Sequence, residues 1–439
     1  MSAHPFSVQL DPGKYTITAE RGKEYFSQSI EIEIGDEAEK TELPLRRWIN
    51  MSERGWYSGE THVHRPVSEL PTLILAEDLN VALPLTAWVT DSREAPSTSN
   101  KNPIEVPPAE LIVVDPTHVI WPINTEYEIF TIEGERHTLG AVFVLNHREA
   151  LELKAPPVLP IAEEARRQGA LLDLDKHNWP WSAMIVPRMG VNLFELTNNH
   201  IWRSRFLFST WYPEYAADYM EIEMENGAFT ERGWIDFGFQ NYYALLNCGF
   251  DMKPSAGTAS GVHPVPLGFG RVYVKLDGEF SYDAWIDGLA AGRSFVTTGP
   301  MLTAEIKNTG GIDVNAKLDS ANPIQSIEVV VNGEVVSRIE SNSSQQWLDF
   351  SMTAPAGSFW VAVRAYTKTK DGRPRFAHTA PVHFKEEGRP IRPRRVEVDY
   401  LIKRVEDEIE RHTGKLSEGA LEDYQIALDF YKGLVDRAR

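Results

Sequence analysis

Between about residues 51 and 300 the chain alternates short strand-like runs with helical stretches. That alternation limits what it can fold into more than any other feature. Strand-like runs fall at 56–63, 81–89, 111–114, 140–145, 170–176, 191–197 and 271–276. Helical patterning lies between several of them. A short stretch covers 161–168, and Phe239, Tyr242, Tyr243 and Leu246 follow the i, i+3, i+4, i+7 spacing of an apolar helix face. A third runs from Ser281 to Ala291 before Gly292, which suits a C-terminal cap. Strands alternating with helices pair in parallel, and about 250 residues is the size of a closed strand–helix barrel, whose functional groups sit where strands run into loops.

The flanks are patterned differently. In residues 1–50, Tyr15, Ile17 and Ala19 share one face of a strand, and Phe26, Ile30, Ile32 and Ile34 do so in the next run. This predicts a small, incomplete β-domain. Residues 301–386 return to period two, with Ile327, Val329 and Val331 leading into the hairpin signal Asn332-Gly333, and predict a β-sandwich. In 387–439 a basic linker precedes two amphipathic runs, one through Val398, Leu401 and Val405 and one through Tyr424, Leu428 and Tyr431, expected as a helical hairpin.

Charge and cysteine content narrow the function. A formal charge of −19 opposes binding of nucleic acid and of anionic membrane surfaces. Cys248 is the one cysteine, so neither an internal disulfide nor a thiolate zinc cage can form, and any metal falls to His, Asp and Glu. The longest apolar stretch, Leu70 to Thr90, is broken by Glu77, Asp78 and Asn80, and Asp11 and Lys14 interrupt the region where an export signal needs an apolar core. The expectation is a soluble protein, cytoplasmic by default, or periplasmic or secreted if the natural N-terminus is longer.

Within the barrel region, His62 and His64 in Gly59-Glu-Thr-His-Val-His lie two residues apart on one strand and face the same way, so both can reach one ion. Asp173, Asp175 and His177 alternate with Leu172 and Leu174, a polar inner face on an apolar outer one. Asp91 ends the strand before it, Glu126 and Glu128 share a strand face, and His137 precedes the next strand. Glu195 is followed by His200 in the adjoining loop. Metal binding explains why His, Asp and Glu recur at successive strand ends. No G-x-S-x-G elbow accompanies any serine, and Gly257-Thr-Ala-Ser-Gly lacks the lysine and spacing of a phosphate loop.

Taken in order, GWYSGETHVHRP, Thr90-Asp91, the strand running to His177, GTASGVHPVPLGFGRVYV and YDAWIDGLAAGRSFVTTGP resemble the CehA/McbA metallohydrolases of the polymerase-and-histidinol-phosphatase (PHP) superfamily. The resemblance covers about residues 50–300. It implies a distorted (β/α)7 barrel, one or two divalent ions (Zn, Mn or Fe), and hydrolysis of a phosphoester or other ester-like bond in a small, anionic substrate. Carried over by position, it implies His62, His64, Glu126, His137 and His177 as metal ligands, with His200 as a replacement ligand. Asp91 is the expected proton-transfer group, and Glu195 and Arg93 are expected against substrate. The chain departs from the pattern at Asp91-Ser92, at Gly59-Glu60 and at Gly257-Thr258-Ala259-Ser260, where ligands are replaced. Those departures motivate an alternative, a catalytically degenerate barrel that binds a ligand or partner. A metal-free glycosidase using paired carboxylates is the third reading, and it leaves the histidines unexplained.

Overall fold

The computed structural model describes residues 4–98, 107–206 and 210–439. It opens with an antiparallel hairpin, β1 (Gly13–Ala19) and β2 (Gln28–Ile34), in which Tyr15 faces Ile32 and Ile17 faces Ile30. The apolar residues named from the sequence share its half-buried face.

The following strands are β3 (Trp56–Val63), β4 (Val81–Pro84), β5 (Ala87–Asp91), β6 (Thr125–Ile132), β7 (Glu135–Leu145), β8 (Leu171–Asp175), β9 (Leu193–Thr197) and β10 (Lys253–Ser260). β3 pairs with β4 in parallel, and the chain passes through Leu85-Thr86 into β5, which pairs with β6. The ladder continues β6–β7–β8–β9–β10, and β10 pairs back to β3, so the pairing closes on itself. Helices are fewer than the strand–helix alternation anticipated. β4 runs directly into β5, and β6 turns back into β7 at Glu133-Gly134, both with the positive φ of a tight hairpin. The ladder therefore mixes antiparallel with parallel pairs, and the class is mixed α/β with a large sheet.

The main helices of this region are α1 (Leu70–Glu77), α2 (Leu159–Arg167), α3 (Glu231–Asn247) and α4 (Tyr282–Ala290), of which the last three fall on the helical stretches read from the sequence. Thr230 and Ser281 cap α3 and α4, each side chain accepting the N–H three residues on. α4 lays Trp285 directly on β3, where a Cβ at Gly59 would lie 2.2 Å from the indole. No helix among the described residues is long and apolar enough to cross a membrane.

Beyond the ring, β11 (Arg271–Lys275) pairs with β3 and with β12 (Ser294–Thr297). After residue 300 come β13 (Ile324–Val331), β14 (Phe359–Lys368) and β15 (Pro374–Thr379), and β15 pairs with β12. A separate three-stranded sheet (Met301–Asn308, Ile312–Asp319, Gln345–Met352) shares one apolar core with this extension, through Leu302, Val314, Leu318, Ile327, Val329 and Val361. The C-terminal helices are α5 (Arg395–His412) and α6 (Glu418–Lys432).

Candidate metal centre

β3 carries His62, the residue just past its end is His64, and β6 carries Glu126 beside them; all three are buried. His62 Nε2 lies 3.2 Å from His64 Nε2, and His64 Nε2 lies 3.3 Å from Glu126 Oε2. Donors bound tetrahedrally at ~2.0–2.1 Å stand roughly 3.3 Å apart, so this set fits one ion. A second group, His62, Asp175 and Glu195, has its donor atoms within 4.8 Å of one another, but the two groups share His62. A neutral imidazole has one lone pair to give. His62 Nδ1 lies 2.9 Å from Glu195 Oε1, so Nδ1–H donates to the carboxyl and Nε2 is the ligating atom. Of the two groups that could hold an ion, the first keeps His62 Nε2 available for it, with Glu195 on the other side of the ring.

The contacts continue outward. Burial, then the Asp175 carboxylate, pushes Glu195 well above the usual carboxylate range. Burial alone would raise Asp175 as well, but the Lys176 ammonium holds it low. The two carboxyls lie within 4.8 Å of each other and of His62; neither Asp175 Oδ1 nor Glu195 Oε2 has a hydrogen-bond partner among the described residues, and Asp175 Oδ1 stands 4.0 Å from His62 Nδ1. Asp175 Oδ2 accepts from Lys176, whose ammonium also lies 2.9 Å from Glu128 and 3.4 Å from Glu126. Deeper in the ring, Asp173 accepts from Ser255 Oγ at 2.7 Å and Thr61 Oγ1 at 3.0 Å, and burial raises it to about 7.

The other expected site residues lie elsewhere. Asp91 is committed to a turn. Its oxygens accept from Arg93 N, Thr131 Oγ1 and Gly134 N, and it stands three residues past Trp88, which pairs with Glu126. Those contacts prevail over its slight burial and lower its pKa, and the side chain of Arg93 is exposed. His137 sits in the register shift of β7 between Arg136 and Gly140, roughly 20 Å along the strand from Phe143, the residue opposite Glu126. Its Nε2 is 2.8 Å from His412 Nδ1 of α5, a packing contact rather than a ligand position.

His177 stacks on Phe194 at 5.2 Å and tilts against Trp234 at 5.2 Å, and burial lowers it to about 3. His200 also stacks on Trp234, at 4.3 Å. Neither belongs to a three-donor group among the described residues. Glu60, at the Gly59-Glu60 departure, reaches Thr258 and the N–H of Gly268; burial raises it to about 8, and it fastens β10 instead of facing an ion.

Asp175 and Lys176 both lie outside the ligand set that the resemblance implies. Asp175 was legible in the alternation of 173, 175 and 177. Lys176 was not, because alternation places it on the opposite face. Its φ of +52 reverses the alternation there, turning the ammonium inward and sending His177 against the aromatic residues.

Compared with known families and with curated proteins, the chain matches no family model and no curated sequence.

Proposed function

We propose that this chain is a divalent-metal-dependent hydrolase of the PHP type, acting on a phosphoester or other ester-like bond of a small, anionic substrate. One observation carries the reading: three buried donors within 4.8 Å of one another, with His64 Nε2 3.2 Å from His62 Nε2 and 3.3 Å from Glu126 Oε2. The closed ring of strand pairings supports the finer fold, a distorted seven-stranded barrel with β4 and β5 forming one strand. A bound divalent ion supplies Lewis-acid polarisation of the scissile oxygen and lowers the pKa of water to about 7 at a zinc-type site. Nitrogen and carboxylate donors suit Zn, Mn or Fe.

The protein's own residues supply the rest. Glu195 holds the His62 tautomer, and Phe143 packs edge-on against the His62 ring at 4.6 Å, keeping water from that face. Lys176 offsets part of the negative charge of Asp175, Glu126 and Glu128 beside the His62–His64–Glu126 group.

Metal analysis of protein purified without chelator, beside the His62→Ala/His64→Ala double variant, tests this. About one equivalent or more of a transition metal, lost in the variant, supports the hydrolase and directs assays to metal-dependent ester and phosphoester panels. Metal absent from both proteins even after reconstitution overturns it and leaves the non-catalytic ligand-binding reading.

A further inference from the structure

Lys176 is placed as a cation would be. Its ammonium is enclosed by Asp175 Oδ2, Glu128 Oε1 at 2.9 Å and Glu126 Oε1 at 3.4 Å, with the Trp179 ring centre 5.2 Å away. The residue is buried, 6% exposed, and holds a left-handed backbone, a conformation costly for any side chain with a Cβ. The turn that imposes it is closed by Trp179 N–H on Lys176 O at 2.7 Å, and Arg404 of α5 donates to Trp179 O at 3.0 Å. The fold therefore accepts backbone strain and braces it from a distant helix to aim one amine among three carboxylates. Glu126 is the pivot, with Oε2 on the His64 side and Oε1 on the Lys176 side.

Resting on the metal-dependent reading, we infer that the Lys176 ammonium occupies the place of a second metal ion, so the centre holds a single divalent ion with a built-in cation beside it. Glu126 bridges the ion and the lysine as a carboxylate bridges two ions in a dinuclear site. Three carboxylates around one ammonium leave a double negative charge, which one divalent ion balances. A second ion would have to expel the lysine. The fixed charge also remains when a chelator removes the ion.

Ion stoichiometry tests this in the whole chain, measured after loading with Mn²⁺ and removal of excess. The variants are Lys176→Gly, which suits the left-handed backbone and opens the space, and Lys176→Arg, which keeps the charge. The expected result is one ion in the wild type and in Lys176→Arg, and a second, weaker one in Lys176→Gly. Two ions in the wild type, or one still in a folded Lys176→Gly, overturn the inference while leaving the hydrolase reading intact. No ion in any of the three overturns both. The Mn²⁺-loaded wild type settles the point without a variant. It should give the six-line paramagnetic resonance spectrum of an isolated ion, and an exchange-coupled multiline spectrum overturns the inference.

Discussion

A methyl group at position 257 would lie 2.1 Å from both His62 Cβ and Glu195 Oε1, so the His62–Glu195 contact leaves room only for glycine there. That contact yields a sharp expectation. Glu195→Gln keeps an oxygen that accepts from His62 Nδ1–H, whereas Glu195→Ala removes it. Calorimetric titration with Zn²⁺ should therefore find Glu195→Gln within about threefold of wild type, and Glu195→Ala weaker by about 10–100-fold, the usual loss for such support. If Glu195→Gln falls as far as Glu195→Ala, His62 needs the carboxylate's charge rather than its geometry. His62 and His64 were legible in the sequence because period two holds from β3 into the residue after it, and Glu126 through the family resemblance. Period two failed at residue 176, where one left-handed backbone angle exchanges the faces, and at His137, where a register shift turns the strand toward α5. Neither leaves a mark in hydrophobic patterning.

Among the elements, the helical hairpin was placed by its apolar stripes, but what fastens it is polar. Asp423 of α6 is buried, accepts the Val158 N–H at 2.8 Å and pairs with Arg188. Asp423→Ala strands a partly buried guanidinium and a buried N–H. Truncating one partner of a buried pair costs about 3–5 kcal/mol, and urea unfolding should show a loss of that order. A loss below about 1 kcal/mol would mean the hairpin is held by its apolar face alone. Strands were legible where they alternate, as in β1, β2 and β3. β10 was not, because Lys-Pro-Ser-Ala-Gly-Thr-Ala-Ser has neither β-branched bulk nor alternation; its small residues instead admit His62 and Glu195. The turn from β4 into β5 was read as one strand, since Leu85-Thr86 lacks glycine or any other turn signal.

For the molecule as a whole, two sets of buried groups pull stability in opposite directions with pH. Burial lowers His147 to about 4 and His378 to about 3, so their neutral forms stabilise fully above the unfolded value near 6.5, and that contribution is lost as pH falls below it. Burial raises Glu60 to about 8 and Asp173 to about 7, so their contribution is complete below about 4 and is lost as pH rises through 7–8. Each group changes stability by up to about 1.4 kcal/mol per pH unit, and between roughly pH 4.5 and 6.5 the two sets oppose each other. Thermal unfolding of the metal-free protein should show a melting temperature that falls both toward acid, below about pH 4, and above about pH 7. A melting temperature that climbs steadily to pH 8 would contradict it.

The hydrogen-bonded ladder between β12 and β15 carries a consequence for biosynthesis. β12 exposes an edge until β15 arrives to cover it, and an uncovered edge is a template for another chain. At ~5–20 residues per second the ribosome takes about 4–15 s to deliver the cover. For those seconds each nascent chain presents a sticky strand to its neighbours on the same message, and crowded polysomes are where copies of this protein run the greatest risk of joining one another.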